Sequence, residues 1–183
     1  MRRFVGFTLL CATFAGSGRA QDIVSGPAKD AKVPALKVYD ATGEHKETEV
    51  DYAAQRKDKP TVYLFIDAEK FDRPMNRFMK RLDGAVKKDF ADAYIVAVWL
   101  TGDADKTKAL LPRVQQSVQY EATALTLFAD KAGPKDWNVN GDAHLTVVLA
   151  NKGAVRATLG YRSVNETDVP AVKEKLAAAT RKK

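Results

Sequence analysis

Chemistry on this 183-residue chain would have to be done with very few groups: one cysteine, Cys11, and two histidines, His45 and His144. A single thiol excludes an intramolecular disulfide, a Cys-x-x-Cys pair and any zinc or iron–sulfur site made of several thiolates. Past residue 20 the serines are Ser25, Ser117 and Ser163. None stands in the Gly-x-Ser-x-Gly turn that exposes a hydrolase nucleophile, and no Gly-rich loop is present to cradle a phosphate. The remaining concentration of reactive side chains is Asp67, Glu69, Asp72 and Arg73, in the stretch DAEKFDRPM. His45, inside GEHKETEV, reads as a solvated surface residue. His144 has no second ligand at metal-site spacing, so a hydrogen-bonded loop histidine is favoured over a metal ligand. Asn165, Glu166 and Thr167 match a glycosylation sequon, although helix capping accounts for Thr167 more simply.

The elements that would hold these residues follow from hydrophobic periodicity. Residues 61–66 (TVYLFI) and 94–100 (YIVAVWL) are unbroken β-branched and aromatic runs, the pattern of strands buried on both faces. Between them Pro74 opens a helix whose apolar stripe is Met75, Phe78, Leu82 and Val86, with Asp72 placed to cap its amides. After Thr-Gly-Asp a second helix carries Leu110 or Leu111, Val114 and Val118, and Pro112 must kink it or sit in its first turn. Residues 124–128 (ALTLF) and 145–150 (LTVVLA) are further strands, and Asn151, Lys152 and Gly153 turn the latter into an antiparallel partner at 154–159. Val169, Val172 and Leu176 face inward on a closing helix. An earlier short strand ends at Asp40, and residues 44–60 read as polar surface. Trp99 and Trp137 read as core and sheet-edge packing.

Met1 to Ala20 has the layout of a secretory signal: Arg2 and Arg3, an apolar run from Phe4 to Ala15, then small residues ending at Ala20. The run is shorter than the roughly 20 residues that span a bilayer, so no stable membrane anchor is expected after cleavage. Three arginines would leave with it, lowering the formal charge from +7 to +4, and Cys11 would leave too. Residues 21–33 are expected as a flexible leader or a strand-edge arm, and residues 34–180 as one domain. Export to a periplasm or the extracellular space is the expected localisation. The basic residues Arg73, Arg77, Lys80, Arg81, Lys87 and Lys88 read as a solvated helix face, and 181–183 as a frayed tail, so no nucleic-acid partner is expected.

The order of elements resembles the thioredoxin-like superfamily, in particular its redoxin and peroxiredoxin branch. VPALKVYDATGE, TVYLFI, YIVAVWLTGD, ALTLFADKAGPKDWNV and LTVVLANKGAVRATLGY carry the resemblance in order across residues 33–176. It implies an α/β, thioredoxin-like three-layer sandwich with a mixed central sheet and helices on both faces. It also implies a cysteine thiolate just beyond the first buried strand, where helix-terminal amides lower a thiol pKa. The matching stretch, Asp67 to Met75, contains no thiol, and Met75 is a thioether that cannot exchange with disulfides. The proline that the family places before its penultimate strand is Leu145 here, so a trans peptide is expected.

The resemblance would bring His144 near Asp67, Glu69 and Asp72. A histidine beside carboxylates could hold a metal or act as a general base. The favoured reading is an exported, cysteine-free, redox-inactive module with no catalytic residue, no cofactor and no metal. It would bind an envelope protein or small ligand through Asp67, Glu69, Asp72, Arg73 and His144. The alternatives are a thiol oxidoreductase or antioxidant role by descent, and a metal-assisted enzyme at His144.

Overall fold

The two unbroken apolar runs pair directly with each other. In the computed structural model, which describes residues 23–181, β3 (Thr61–Asp67) lies parallel to β4 (Tyr94–Leu100), Thr61 opposite Tyr94 and Asp67 opposite Leu100. The other strands are β1 (Lys37–Asp40), β2 (Thr48–Asp51), β5 (Thr123–Phe128), β6 (Leu145–Asn151) and β7 (Ala154–Tyr161). They form one mixed seven-stranded sheet in the order β2-β1-β5-β4-β3-β6-β7. Only the β3–β4 and β4–β5 pairings are parallel; β6 pairs antiparallel with β3, β7 with β6, β1 with β5 and β2 with β1.

Stepping β3 to β4 to β5 in one direction with right-handed crossovers puts both connecting helices on the same face. These are α2 (Arg73–Asp89) and α3 (Ala104–Val118), and α4 (Val169–Thr180) joins them. Met75, Phe78, Leu82, Leu111 and Leu176 form one core with Val62, Leu64, Ile66 and Trp99. The opposite face is covered by the single turn α1 (Tyr52–Gln55), the N-terminal segment and a 3-10 turn at Lys135–Trp137. There Trp137 packs against Tyr63 and Phe65, ring centroids 4.9 Å away in each case. Its indole N–H donates to the carbonyl of Ala35 at 3.0 Å. The sandwich therefore has helices on both faces, long on one and short on the other.

Two buried carboxylates tie the layers together, and neither stands out in the sequence. Asp40 is fully buried and accepts from the amides of Thr42, Gly43 and His45 and from the Tyr52 hydroxyl at 2.7 Å. Burial and then Asp40 push the Tyr52 hydroxyl pKa far above its ordinary value. Asp83, 1% exposed on α2, accepts from the amides of Glu121 and Ala122 and from the Thr123 hydroxyl at 2.7 Å, fastening the helix to the start of β5. Charge-assisted bonds of this kind satisfy a carboxylate that could not otherwise be buried.

Several expectations change. Residues 44–60 are not uniformly polar surface: β2 pairs with β1, and Val50 and Tyr52 are buried. His45 is half-buried, its ring edge-on to Tyr52. Of the alternatives left open for α3, Leu111 rather than Leu110 faces the core, and Pro112 lies within the helix rather than in its first turn. Asn165, with Asp168 in a reciprocal capping box, caps the turn where Thr167 was expected to do so.

Residues 23–33 lie along the edge of the sheet, the second of the two arrangements expected for residues 21–33. Ser25 is buried with its hydroxyl 2.6 Å from that of Thr146, Gly26 donates to Asn138, and Lys32 bridges Ala154 at the edge of β7. Pairing with a sheet edge satisfies backbone groups that would otherwise stay solvated, which makes this segment a strand-edge arm. The proposed signal at 1–20, with Cys11, lies outside the described residues. No helix among the described residues is long and apolar enough to cross a membrane.

Candidate functional site

The parallel strands end together at one rim, where open α/β sheets place their binding crevices. β3 ends at Asp67, whose amide donates to the carbonyl of His144 at 3.1 Å, while the amide of His144 donates to Tyr161. The backbone thus joins the Asp67 loop to the residue that precedes β6. Asp67 accepts from the amide of Glu69 at 3.0 Å, folding its own loop. Asp72 caps α2 by accepting from the amide of Met75 at 2.9 Å, as its spacing predicts. Glu69 pairs with Lys131, reaching from the loop after β5. The lysine holds the Glu69 carboxyl below its usual range, and Glu69 raises the lysine in return. Both side chains are exposed, so the pair adds little stability. Arg73 is exposed, and neither its guanidinium nor the half-buried His144 imidazole has a hydrogen-bond or ion-pair partner among the described residues.

Inside this rim Phe71, Met75 and Trp99 belong to the apolar core. Phe71 packs edge-on against Trp99, and Met75 is 2% exposed. An open cleft of about 640 Å³ lies beside this packing, between Ala68 and Glu69, the turn after β4, α3 and Lys131. Trp99 lines it from within the core, and Leu110, 42% exposed, lines it from α3. Asp103 caps α3 through the amide of Lys106, and the hydroxyls of Thr101 and Thr107 lie 2.9 Å apart beneath it. Sequence reasoning missed this cleft; the one available signal was the surplus leucine in the pair Leu110 and Leu111. No group of three His, Cys, Asp or Glu side chains among the described residues is placed to hold a metal ion. The structure therefore joins Asp67 to His144 through the backbone, while Glu69 turns to Lys131 and Asp72 to its own helix.

No protein-family model matches the sequence, and no curated protein matches it at the level of sequence. Solved structures do match. A thiol:disulfide interchange protein, DsbE, from Chlorobium tepidum aligns with TM-score 0.63 and 17% identity, over 84% of this chain and 98% of that one. The exposed lipoprotein thioredoxin Etrx1 of Streptococcus pneumoniae gives 0.58 and 11%, over 79% and 99%. The peroxidoxin BcpB of Mycobacterium tuberculosis gives 0.59 and 14%, over 85% and 99%. The fold is thioredoxin-like.

On a thioredoxin-like scaffold, the start of α2 is where the resemblance calls for a nucleophilic sulfur. This thioredoxin-like chain carries Asp72, Arg73, Pro74 and Met75 there, and no cysteine occurs after Cys11. The peptide before Leu145 is trans, as expected for a non-proline. Beside the helix terminus and the strand ends, Phe71 and Met75 pack into the core with Trp99, which also lines the adjoining open cleft.

Proposed function

We propose that this chain is an exported thioredoxin-fold module that binds a partner and carries out no thiol chemistry. One observation carries the reading: the start of α2 has no sulfur nucleophile, and the apolar contact of Phe71 with Trp99 occupies the neighbouring space. Thiol exchange needs a thiolate that attacks one sulfur of a disulfide and expels the other, and residues 12–183 contain no cysteine to supply that thiolate. Export is supported by the layout of residues 1–20. Contact would be made by the surface of the Asp67 loop. Arg73 and His144, both without side-chain partners, supply donors to an acidic or carbonyl-bearing group on an envelope protein or small ligand, while Glu69 and Asp72 flank them.

The test has two arms. Recombinant protein beginning at residue 21 should reduce insulin and consume peroxide at the rate of buffer alone; turnover above background overturns the redox-inactive part. In pull-down from envelope extract, a partner held by the parent protein and lost on Arg73→Ala/His144→Ala supports the binding face. Equal recovery by both proteins overturns it.

A further inference from the structure

The outward face of α2 is a stripe of positive charge. Arg73, Arg77, Lys80, Arg81, Lys87 and Lys88 are all exposed. At about 100° per residue they fall within an arc of about 120°, opposite the buried Met75, Leu82 and Val86. The helix's two acids do not interrupt it: Asp83 is buried against β5, and Asp89 pairs with Lys173 at 2.7 Å. From neighbouring elements, Glu166 pairs with Arg77 at 3.1 Å, and Lys80 donates to the carbonyl of Gln119. Arg73, Arg81, Lys87 and Lys88 keep no hydrogen-bond or ion-pair partner among the described residues. Lining up like charges on one helix face costs stability, and among the described residues the Arg77–Glu166 pair is the one ion pair that relieves it.

We propose that this stripe is a docking surface for a linear acidic polysaccharide. From Arg73 to Lys88 it runs about 22 Å at about 1.5 Å per residue, and Arg73, Arg77 and Arg81 repeat every ~6 Å. A polymer with one carboxylate on each sugar repeats its charge on that scale, and a guanidinium fork matches a carboxylate in two bonds. Base stacking and insertion into a bilayer have no side chains to support them on α2. The exposed large hydrophobic residues among those described are Val24 and Leu110, neither on α2, so no apolar wedge is available to enter a bilayer. Its one aromatic residue, Phe78, is buried, so no base can stack on it. Binding would be driven by release of counterions from the polymer and would weaken steeply with salt.

The experiment is calorimetric titration of the protein with polygalacturonate at low and at physiological ionic strength. Arg77→Gln/Arg81→Gln/Lys88→Gln should weaken binding about tenfold or more and flatten its salt dependence by about half. A charge-matched control at exposed lysines elsewhere, Lys57→Gln/Lys59→Gln/Lys135→Gln, should change affinity by less than about twofold. Lys87→Gln/Lys88→Gln, which breaks no ion pair, should give an intermediate loss and covers the case in which the triple variant folds poorly. Equal losses in stripe and control variants, absence of binding at low salt, or tighter stripe-dependent binding to phosphatidylglycerol vesicles would each overturn the proposal. Arg73 is left unchanged throughout, so failure here is separate from failure of the Arg73 and His144 face.

Discussion

Phe71 meets Trp99 edge-on, with ring centroids 5.3 Å apart and planes at 65°. The contact links the loop after β3 to the end of β4, so it closes the rim and braces it. Edge-to-face aromatic pairs add about 0.5–1.5 kcal/mol beyond their buried area. Phe71→Ala should therefore destabilise the protein by about 2–3 kcal/mol, less than a fully buried phenylalanine because Phe71 is half-exposed. Urea unfolding followed by tryptophan fluorescence measures this, and an unchanged midpoint would show that the contact carries no weight.

Asp83 fastens α2 to β5. Asp83→Ala removes the acceptor for two amides and the Thr123 hydroxyl, and should cost about 3–5 kcal/mol. Asp83→Asn keeps one oxygen in place and should cost less. Chemical denaturation of the two variants orders them; equal losses would mean that volume, and not hydrogen bonding, sets the cost.

The arm along β7 depends on Gly160. A Cβ at this position would collide with the backbone carbonyl of Ile23 and crowd Ser25. Gly160→Ala should lift residues 23–33 from the sheet and leave the rest folded. Hydrogen exchange of the Gly26, Asp30 and Val33 amides, which donate to Asn138, Val155 and Gly153, should rise by tenfold or more. Unchanged protection would show that the arm accommodates a methyl group.

Alkaline pH should unfold the protein earlier than its charge balance suggests. Burial raises the hydroxyls of Tyr52, Tyr63 and Tyr120 well above the ordinary tyrosine value, and that of Tyr94 to about 12. Their contribution is fully present below about pH 10, where the unfolded chain begins to ionise while the folded chain stays protonated. Above that point each fully buried tyrosine removes up to about 1.4 kcal/mol per pH unit; Tyr94, half-exposed, removes less. Denaturation midpoints should be flat near neutrality and fall between about pH 10 and 12. Tyr52→Phe should soften that fall while costing about 1–3 kcal/mol at neutral pH, because Asp40 loses a donor.

How far the sequence speaks depends on where each element finds its partners. β3, β4 and α2 were legible because their own residues repeat with a strand or helix period, and Asp72 was legible as a cap because capping is local. β2 and the arm were not. Thr48–Asp51 contains one buried side chain, and Ser25 is held by Thr146, 121 residues away. The adjacency of Asp67 and His144 followed from the resemblance and is realised through the backbone, whereas the turning of Glu69 toward Lys131 rests on a loop that no periodicity describes.

By itself the sequence determined which atoms are available: one thiol at residue 11, none beyond it, and a layered α/β order of strands and helices. Those are matters of composition and local period, and no folding can add a sulfur. Only the tertiary structure decided what stands in the empty place. Packing of Phe71 on Trp99, burial of Met75 and the turn of Leu110 toward a cleft depend on where distant strands and helices meet, and that geometry exists only in the assembled sheet.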